Sequence, residues 1–225
     1  MKGVVVICTH ERRAMTCRNL DSLLNQTVKP LIVLCVTDRQ DVKYYGDKYQ
    51  NNVLVTQHAN EPLGGKWQHA VNESKKLNPD FIVILGSDDM LQNTYIEKSI
   101  KYIEEGTDFI GLMRFWQHKG DKAYLCDYNP IQPIGGGRVY SRRMLEKINW
   151  QVFEPKNKHL DNYGWDMAKK SGLKCTLVRN IETQGMQIHA IKGDWKKMND
   201  FSITHRNIKL LRSISLKENG NSFGI

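Results

Sequence analysis

The stretch FIVILGSDDML, residues 81–91, decides how the rest of the chain is read. Phe81, Ile82, Val83, Ile84 and Leu85 run without alternation into Gly86, Ser87 and two adjacent acids, Asp88 and Asp89. A short continuous run of this kind is how a strand buried on both faces of a parallel sheet looks in sequence. Two like charges at its end repel unless they are solvated or share a cation. Two readings fit. The acids open a helix, where negative charge favours the dipole. Alternatively they hold a hard divalent ion, which prefers oxygen ligands and takes one or two carboxylates plus substrate phosphates.

Gly3–Cys8 (GVVVIC) and Leu31–Val36 (LIVLCV) have the same character, and residues 52–56 (NVLVT) make a weaker example. Helical spacing fills the gaps between them. Residues 15–25 place Leu20, Leu23 and Leu24 on one face, and residues 65–77 do so with Trp67, Ala70, Val71 and Leu77. Residues 94–105 carry Ile96, Ile100 and Ile103 behind Asn93, a good N-cap. Strand and helix in alternation predict an α/β fold with a mixed, mostly parallel central sheet flanked by helices. Right-handed crossovers then bring the strand C-termini to one edge, where ligands bind.

Beyond residue 108 the alternation loosens. Strands are expected over 108–114 and 122–127, with a turn at 118–121 between them. Then come three glycines, Gly135 to Gly137, a short helix over 141–147, and a helix from Asp161 to Lys170 with Gly172 past its end. Residues 173–179 give a last clear strand. The segment from His205 onward reads as a basic amphipathic helix followed by a polar tail, with Ile208, Leu211 and Ile214 turned toward the domain. Docking on the domain is the first reading of that helix, and peripheral contact with a membrane surface the second.

The chain has 225 residues, enough for one domain with a sizeable core. No apolar run approaches the roughly 18–20 residues of a membrane helix. The start, MKGVVVICTHERR, lacks a signal peptide's long apolar region and cleavage site, so the expected location is cytoplasmic. Five dispersed cysteines without a CxxC pair argue against a disulfide framework or a structural zinc site. Lys plus Arg exceed Asp plus Glu, 33 − 24 = +9, which favours an anionic partner. Nucleic acid is not expected, because no Lys/Arg stripe is interleaved with aromatics.

The loops after the strands carry the chemistry. The first strand runs into Thr9-His10-Glu11-Arg12-Arg13, a polar, basic loop suited to a nucleotide base or phosphate. The second ends at Thr37-Asp38-Arg39, where Asp38 accepts from a ribose hydroxyl or simply caps the next helix. NEPLGGKWQHAV, residues 60–71, turns into a helix start whose N–H groups, together with Lys66, suit a phosphate. The plainer alternative is a tight turn with a solvated lysine.

In this order, strand-THER, strand-TD, N-x-P-x-G-G-K-W-x-x-A and strand-GSDDML, the chain resembles family 2 of the glycosyltransferases, enzymes of the GT-A fold. The resemblance is strongest over residues 4–91. It implies a single Rossmann-like domain over 1–225. The nucleotide-sugar-binding half is 1–107, the acceptor and catalytic half 108–195, and the C-terminal helix and tail 196–225. It implies donor contacts, usually to a UDP-sugar, at Thr9, Glu11, Arg13, Asp38, Lys66, Ser87, Asp88 and Gly136. Mn²⁺ or Mg²⁺ falls to Asp88 and Asp89, with Gly86 standing where the family's motif begins with an acid.

The general base falls to Asp161 in HLDNYGWDMAKKSG, where Leu160 replaces the usual Glu and Asp161 is also a good N-cap. His189, in GMQIHAIKGDW, resembles a late histidine that joins the metal or diphosphate in some GT-A enzymes; a structural histidine is the alternative. Arg138 and Trp165 are implied acceptor contacts. The reaction implied is inverting transfer of a hexosyl-type sugar to a hydroxyl of a glycan, lipid-linked or protein-borne acceptor. Two rivals remain. A sugar-phosphate nucleotidyltransferase would need a glycine-rich loop after its first strand, and CTHERRAMTC has no glycine. A non-catalytic basic nucleic-acid-binding module would explain the charge and leave the acids at the strand ends unexplained.

Overall fold

The computed structural model describes residues 1–128, 132–191 and 208–215. Strands β1 (Gly3–Cys8), β2 (Leu31–Val36), β3 (Val53–Gln57) and β4 (Phe81–Gly86) lie parallel in the order β4-β1-β2-β3. Helices α1 (Arg13–Leu24), α2 (Arg39–Tyr49) and α3 (Leu63–Lys76) make the crossovers. All of β1 is buried, and its alternate residues serve opposite faces of the sheet. Val5 and Ile7 join an apolar cluster with Leu20, Leu23 and Tyr45; Val4, Val6 and Cys8 join another with Ala70 and Val71. Both faces are covered, which is why the sequence shows no alternation.

The second half adds β5 (Asp89–Leu91), α4 (Tyr95–Glu104), β6 (Phe109–Leu112), β7 (Arg114–Lys119), β8 (Lys122–Tyr128), β9 (Arg138–Ser141), α5 (Arg142–Lys147), α6 (Leu160–Lys170), β10 (Cys175–Val178), β11 (Ile188–Ile191) and β12 (Ile208–Ser215). The large sheet runs β10-β6-β9-β4-β1-β2-β3, with β9 antiparallel to both its neighbours. A smaller sheet runs β12-β8-β7-β11-β5. The α/β architecture, mixed and mostly parallel in its central sheet, is the expected one.

β1 sits between β2 and β4, so the strand order reverses beside it. The last residues of β1 and β4, Cys8 and Gly86, are register partners. A crevice at the carboxyl ends of strands beside such a reversal is where open α/β sheets bind ligands. The GSDD stretch lies there, and Asp89 already belongs to the smaller sheet, opposite Ala190 of β11.

Two expectations are corrected. Residues 208–215 form a strand paired antiparallel to β8, not a helix. The register of that strand shifts between Leu210 and Arg212, so the spacing of three between Ile208, Leu211 and Ile214 does not mark one buried face. The rest of the expected C-terminal helix and tail lies outside the described residues. The N-cap position of α4 is Thr94 rather than Asn93. No helix among the described residues is long and apolar enough to cross a membrane. The cysteines are free thiols, four of them buried.

Candidate active site at the switch point

The loop after β1 is fixed from within. Thr9 is buried, its N–H donates to Cys35 O at 2.9 Å, and its hydroxyl meets that of Thr16 at 2.7 Å. Glu11, next to the N-cap of α1, is exposed with a left-handed φ of 53°. Arg12 then lies 3.9 Å from the Asp88 carboxylate. Arg13 turns the other way: its Nε donates to Asp41 at 2.5 Å, and its guanidinium lies over the Tyr44 ring. Asp38 stands exposed at the tip of β2. It holds the N-cap position of α2 without a side-chain capping bond; its carbonyl accepts from Asp41 N–H and Val42 N–H instead.

Lys66 departs from its sequence-based assignment. It is fully buried, and its ammonium donates to Thr9 O at 2.5 Å, Thr37 Oγ1 at 2.7 Å and Asn60 Oδ1 at 3.3 Å. It therefore ties together the loops after β1, β2 and β3 and has no solvent-facing ammonium to offer a phosphate. Burial pulls its pKa below the ordinary lysine value.

Ser87 and Asp88 are buried, and Asp88 O accepts from Ile191 N–H at 2.9 Å. Asn19, buried on α1, holds this stretch at both ends: its Nδ2 donates to Gly86 O and to Asp89 O. The two acids diverge. Asp88 borders a separate pocket of about 230 Å³ with Met15, Arg18, Asn19 and Ser87. Asp89 opens into a cleft of about 210 Å³ that it shares with Asp161, the glycines Gly135 and Gly136, and the ring side chains of Trp67 and Phe153. Trp67 and Phe153 stack at 5.4 Å.

Asp161 sits in the first turn of α6, exposed toward the cleft. Arg138 sets the position of that turn. It is 2% exposed and donates to three backbone carbonyls, Ile134 O at 2.7 Å, Pro133 O at 2.7 Å and Asp161 O. The glycine loop and the helix that carries Asp161 are thus tied by one guanidinium. On the other side the Tyr95 hydroxyl donates to Gly137 O, and burial pushes that phenol's pKa far up, so it remains a donor.

Arg138 is therefore a structural tie and does not line the cleft, contrary to the acceptor contact expected of it. Trp165 is also corrected: it is 6% exposed, packed 5.3 Å from Phe109 in the core. His189 is fully buried, stacked on Trp116, with its Nδ1 2.9 Å from His118 Nε2. Burial, with the neighbouring His118, lowers its pKa to about 3. Its ring is on the face of β11 opposite Ala190, so it is turned away from Asp89.

Among the described residues no group of three or more His, Cys, Asp or Glu gathers as a metal site. Asp88 offers the oxygen donor that a hard divalent cation prefers, and such an ion takes one or two carboxylates beside phosphate oxygens. Asn19 was missed by sequence reasoning, and an Asn on the apolar face of α1, one residue before Leu20, is the signal that marks it.

A family profile described as glycosyltransferase like family 2 matches residues 3–147. The chain belongs to that family. Its fold is similar to that of S. aureus TarS, with a TM-score of 0.64 and 16% identity over 85% of this chain and 37% of TarS. TarS 1–349 gives a TM-score of 0.63 at 16% identity, covering 85% of this chain and 60% of that one. TarS 1–349 in complex with UDP gives 0.60 at 16% identity, covering 86% and 61%. The chain thus spans less than two thirds of these TarS structures, and the likeness is one of fold. No curated protein matches it in sequence.

Proposed function

We propose that the chain transfers a sugar from a nucleoside diphosphate sugar, with UDP as the nucleotide, to an acceptor hydroxyl with inversion at the anomeric carbon. The observation that carries the proposal is the cleft shared by Asp161 and Asp89, opening beside Asp88 at the reversal of strand order. Family membership supports sugar transfer, and the UDP bound by the structurally similar TarS fragment supports the nucleotide.

In this reading Glu11 and Asp38 receive the nucleotide at the tips of β1 and β2, over a loop that the buried Thr9 anchors. Asp161 takes the proton from the acceptor hydroxyl as its oxygen attacks the anomeric carbon from the face opposite the diphosphate. The bond to the diphosphate breaks and its electron pair leaves with that group, through an oxocarbenium-like transition state. A positioned base contributes about 10²- to 10⁴-fold. Mn²⁺ or Mg²⁺ held at Asp88, with Asp89 alongside, would offset the charge gathering on the leaving diphosphate. Arg138 keeps Asp161 over the glycine loop, and the apolar wall of Trp67 and Phe153 limits water in the cleft. The acceptor is a hydroxyl of a glycan, a lipid-linked saccharide or a protein.

Thermal shift separates this from its rivals. UDP with Mn²⁺ is expected to raise the melting temperature, and UDP-sugars to be hydrolysed slowly without acceptor. Stabilisation by oligonucleotide alone would favour a nucleic-acid-binding module. Pyrophosphate release from UTP and a sugar phosphate would favour a nucleotidyltransferase.

A further inference from the structure

Asp88 and Asp89 are adjacent in sequence, and the structure gives them different surroundings. Asp88 lies near Arg12, on the side of the nucleotide loop. Asp89 lies in a slot between two glycines. A Cβ added to Gly86 would stand 2.6 Å from Asp89 Oδ2, and one added to Gly136 would also stand 2.6 Å from it. The preceding glycine does the same for the proposed base, since a Cβ on Gly135 would stand 2.5 Å from Asp161 Oδ2. Consecutive Cα atoms are about 3.8 Å apart. The dipeptide Gly135-Gly136 therefore seats one carboxylate against each of its residues.

A base that deprotonates the acceptor lies next to the reacting sugar, so a carboxylate seated beside it lies there too. An ionised carboxylate offers about four acceptor sites, and sugar hydroxyls are donors matched to them. The neighbouring walls, Trp67, Phe115, Phe153 and Ile188, are mostly apolar, and Tyr128 is the other lining residue with a side-chain oxygen besides the two acids.

We propose that Asp89 is a specificity-determining residue that accepts hydrogen bonds from hydroxyls of the transferring sugar, and that Gly86 and Gly136 lack side chains to seat its carboxylate. The diphosphate is left to Asp88. The position where the family pattern carries an acid, Gly86, is thus filled from three residues further on. This inference rests on the transferase reading.

The test is calorimetry with Mn²⁺, using UDP and a panel of UDP-glucose, UDP-galactose and UDP-N-acetylglucosamine. Asp89→Asn is expected to weaken the tightest-binding UDP-sugar by about tenfold or more, the scale of a hydrogen bond to a charged group, and UDP itself by less than about threefold. Gly136→Ala displaces the carboxylate and should show the same selective loss, whereas Gly86→Ala, whose Cβ would also stand 3.1 Å from Asp88 Oδ1, should weaken UDP as well. In an Asp89→Ala background Gly136→Ala should not add to the loss, because the partners of one interaction are not additive. Equal loss of UDP and UDP-sugar in Asp89→Asn would assign Asp89 to the diphosphate and overturn the proposal. Losses that multiply in the double variant would overturn the seat. Wild-type protein that binds neither UDP nor any UDP-sugar would overturn the transferase reading, and this inference with it.

Discussion

Replacing Lys66 with methionine separates a scaffold lysine from a phosphate-binding one. The ammonium makes three hydrogen bonds, to Thr9 O, Thr37 Oγ1 and Asn60 Oδ1, from a fully buried position. Methionine keeps most of the apolar stem and removes every donor. A buried acceptor left without its partner costs about 1–3 kcal/mol. The Thr9 carbonyl is such a group; the two side-chain acceptors are partly buried and can reach water. Relief from burying a charge offsets part of the loss. A net destabilisation of about 1–2 kcal/mol follows, and at roughly 2–4 °C per kcal/mol for a chain of this size the melting temperature should fall by roughly 2–8 °C. Thermal melts followed by circular dichroism, run with and without UDP and Mn²⁺, measure it. UDP affinity should fall far less than stability, since the ammonium faces protein oxygens. An unchanged melting temperature with a tenfold loss of UDP affinity would refute the scaffold role.

Asp161→Asn should retain UDP binding and lose most turnover, at least about a hundredfold for a lost general base; near-normal turnover in steady-state kinetics would remove Asp161 from that role. Arg138→Lys cannot reproduce a fork that reaches three carbonyls, so kcat should drop about tenfold with KM little changed, and an unaltered kcat would show that the tie to Asp161 O does not position the base. The buried histidine pair should make stability acid-sensitive. Burial lowers His118 to about 4, with Arg18 adding to the shift, and lowers His189 to about 3, against 6.5 unfolded. The unfolded chain then binds more protons, so stability is full above about pH 6.5 and declines as pH falls toward 4 and 3. Urea titrations across that window should show the decline, and His118→Gln should flatten it; an identical slope in the variant would place the acid sensitivity elsewhere.

The parts of the fold visible in sequence were those whose physics is local. β1, β2 and β4 announce themselves because both of their faces are buried. α2 was not foreseen because its inward residues are Asp41, Tyr45 and Tyr49 rather than aliphatics, with Gly46 among them. β9 and β11 are four residues each, too short to show a period. Long-range geometry was the other blind spot. GGK at a helix start reads as a phosphate grip, and only the convergence of loops at residues 9, 37 and 60 turns Lys66 inward. Nothing in the sequence around Arg138 says that its partners are carbonyls. Asp161 and Asp88 could be nominated from motif order, while the divergence of Asp88 from Asp89 needed the backbone.

That divergence has a consequence for how this stretch can vary. Asn19 holds Gly86 O and Asp89 O from one side chain, and Asp89 is already in register with Ala190. Ser87 and Asp88 form the turn between β4 and β5. A single-residue insertion or deletion between Gly86 and Asp89 would slide β5 against β11 and pull one anchor from Asn19. Substitutions in GSDD alter one contact at a time, whereas a change in its length alters all of them together. Loop grafts and chimaeras between relatives should therefore keep the count from β4 to β5 fixed, even where the residues themselves are exchanged.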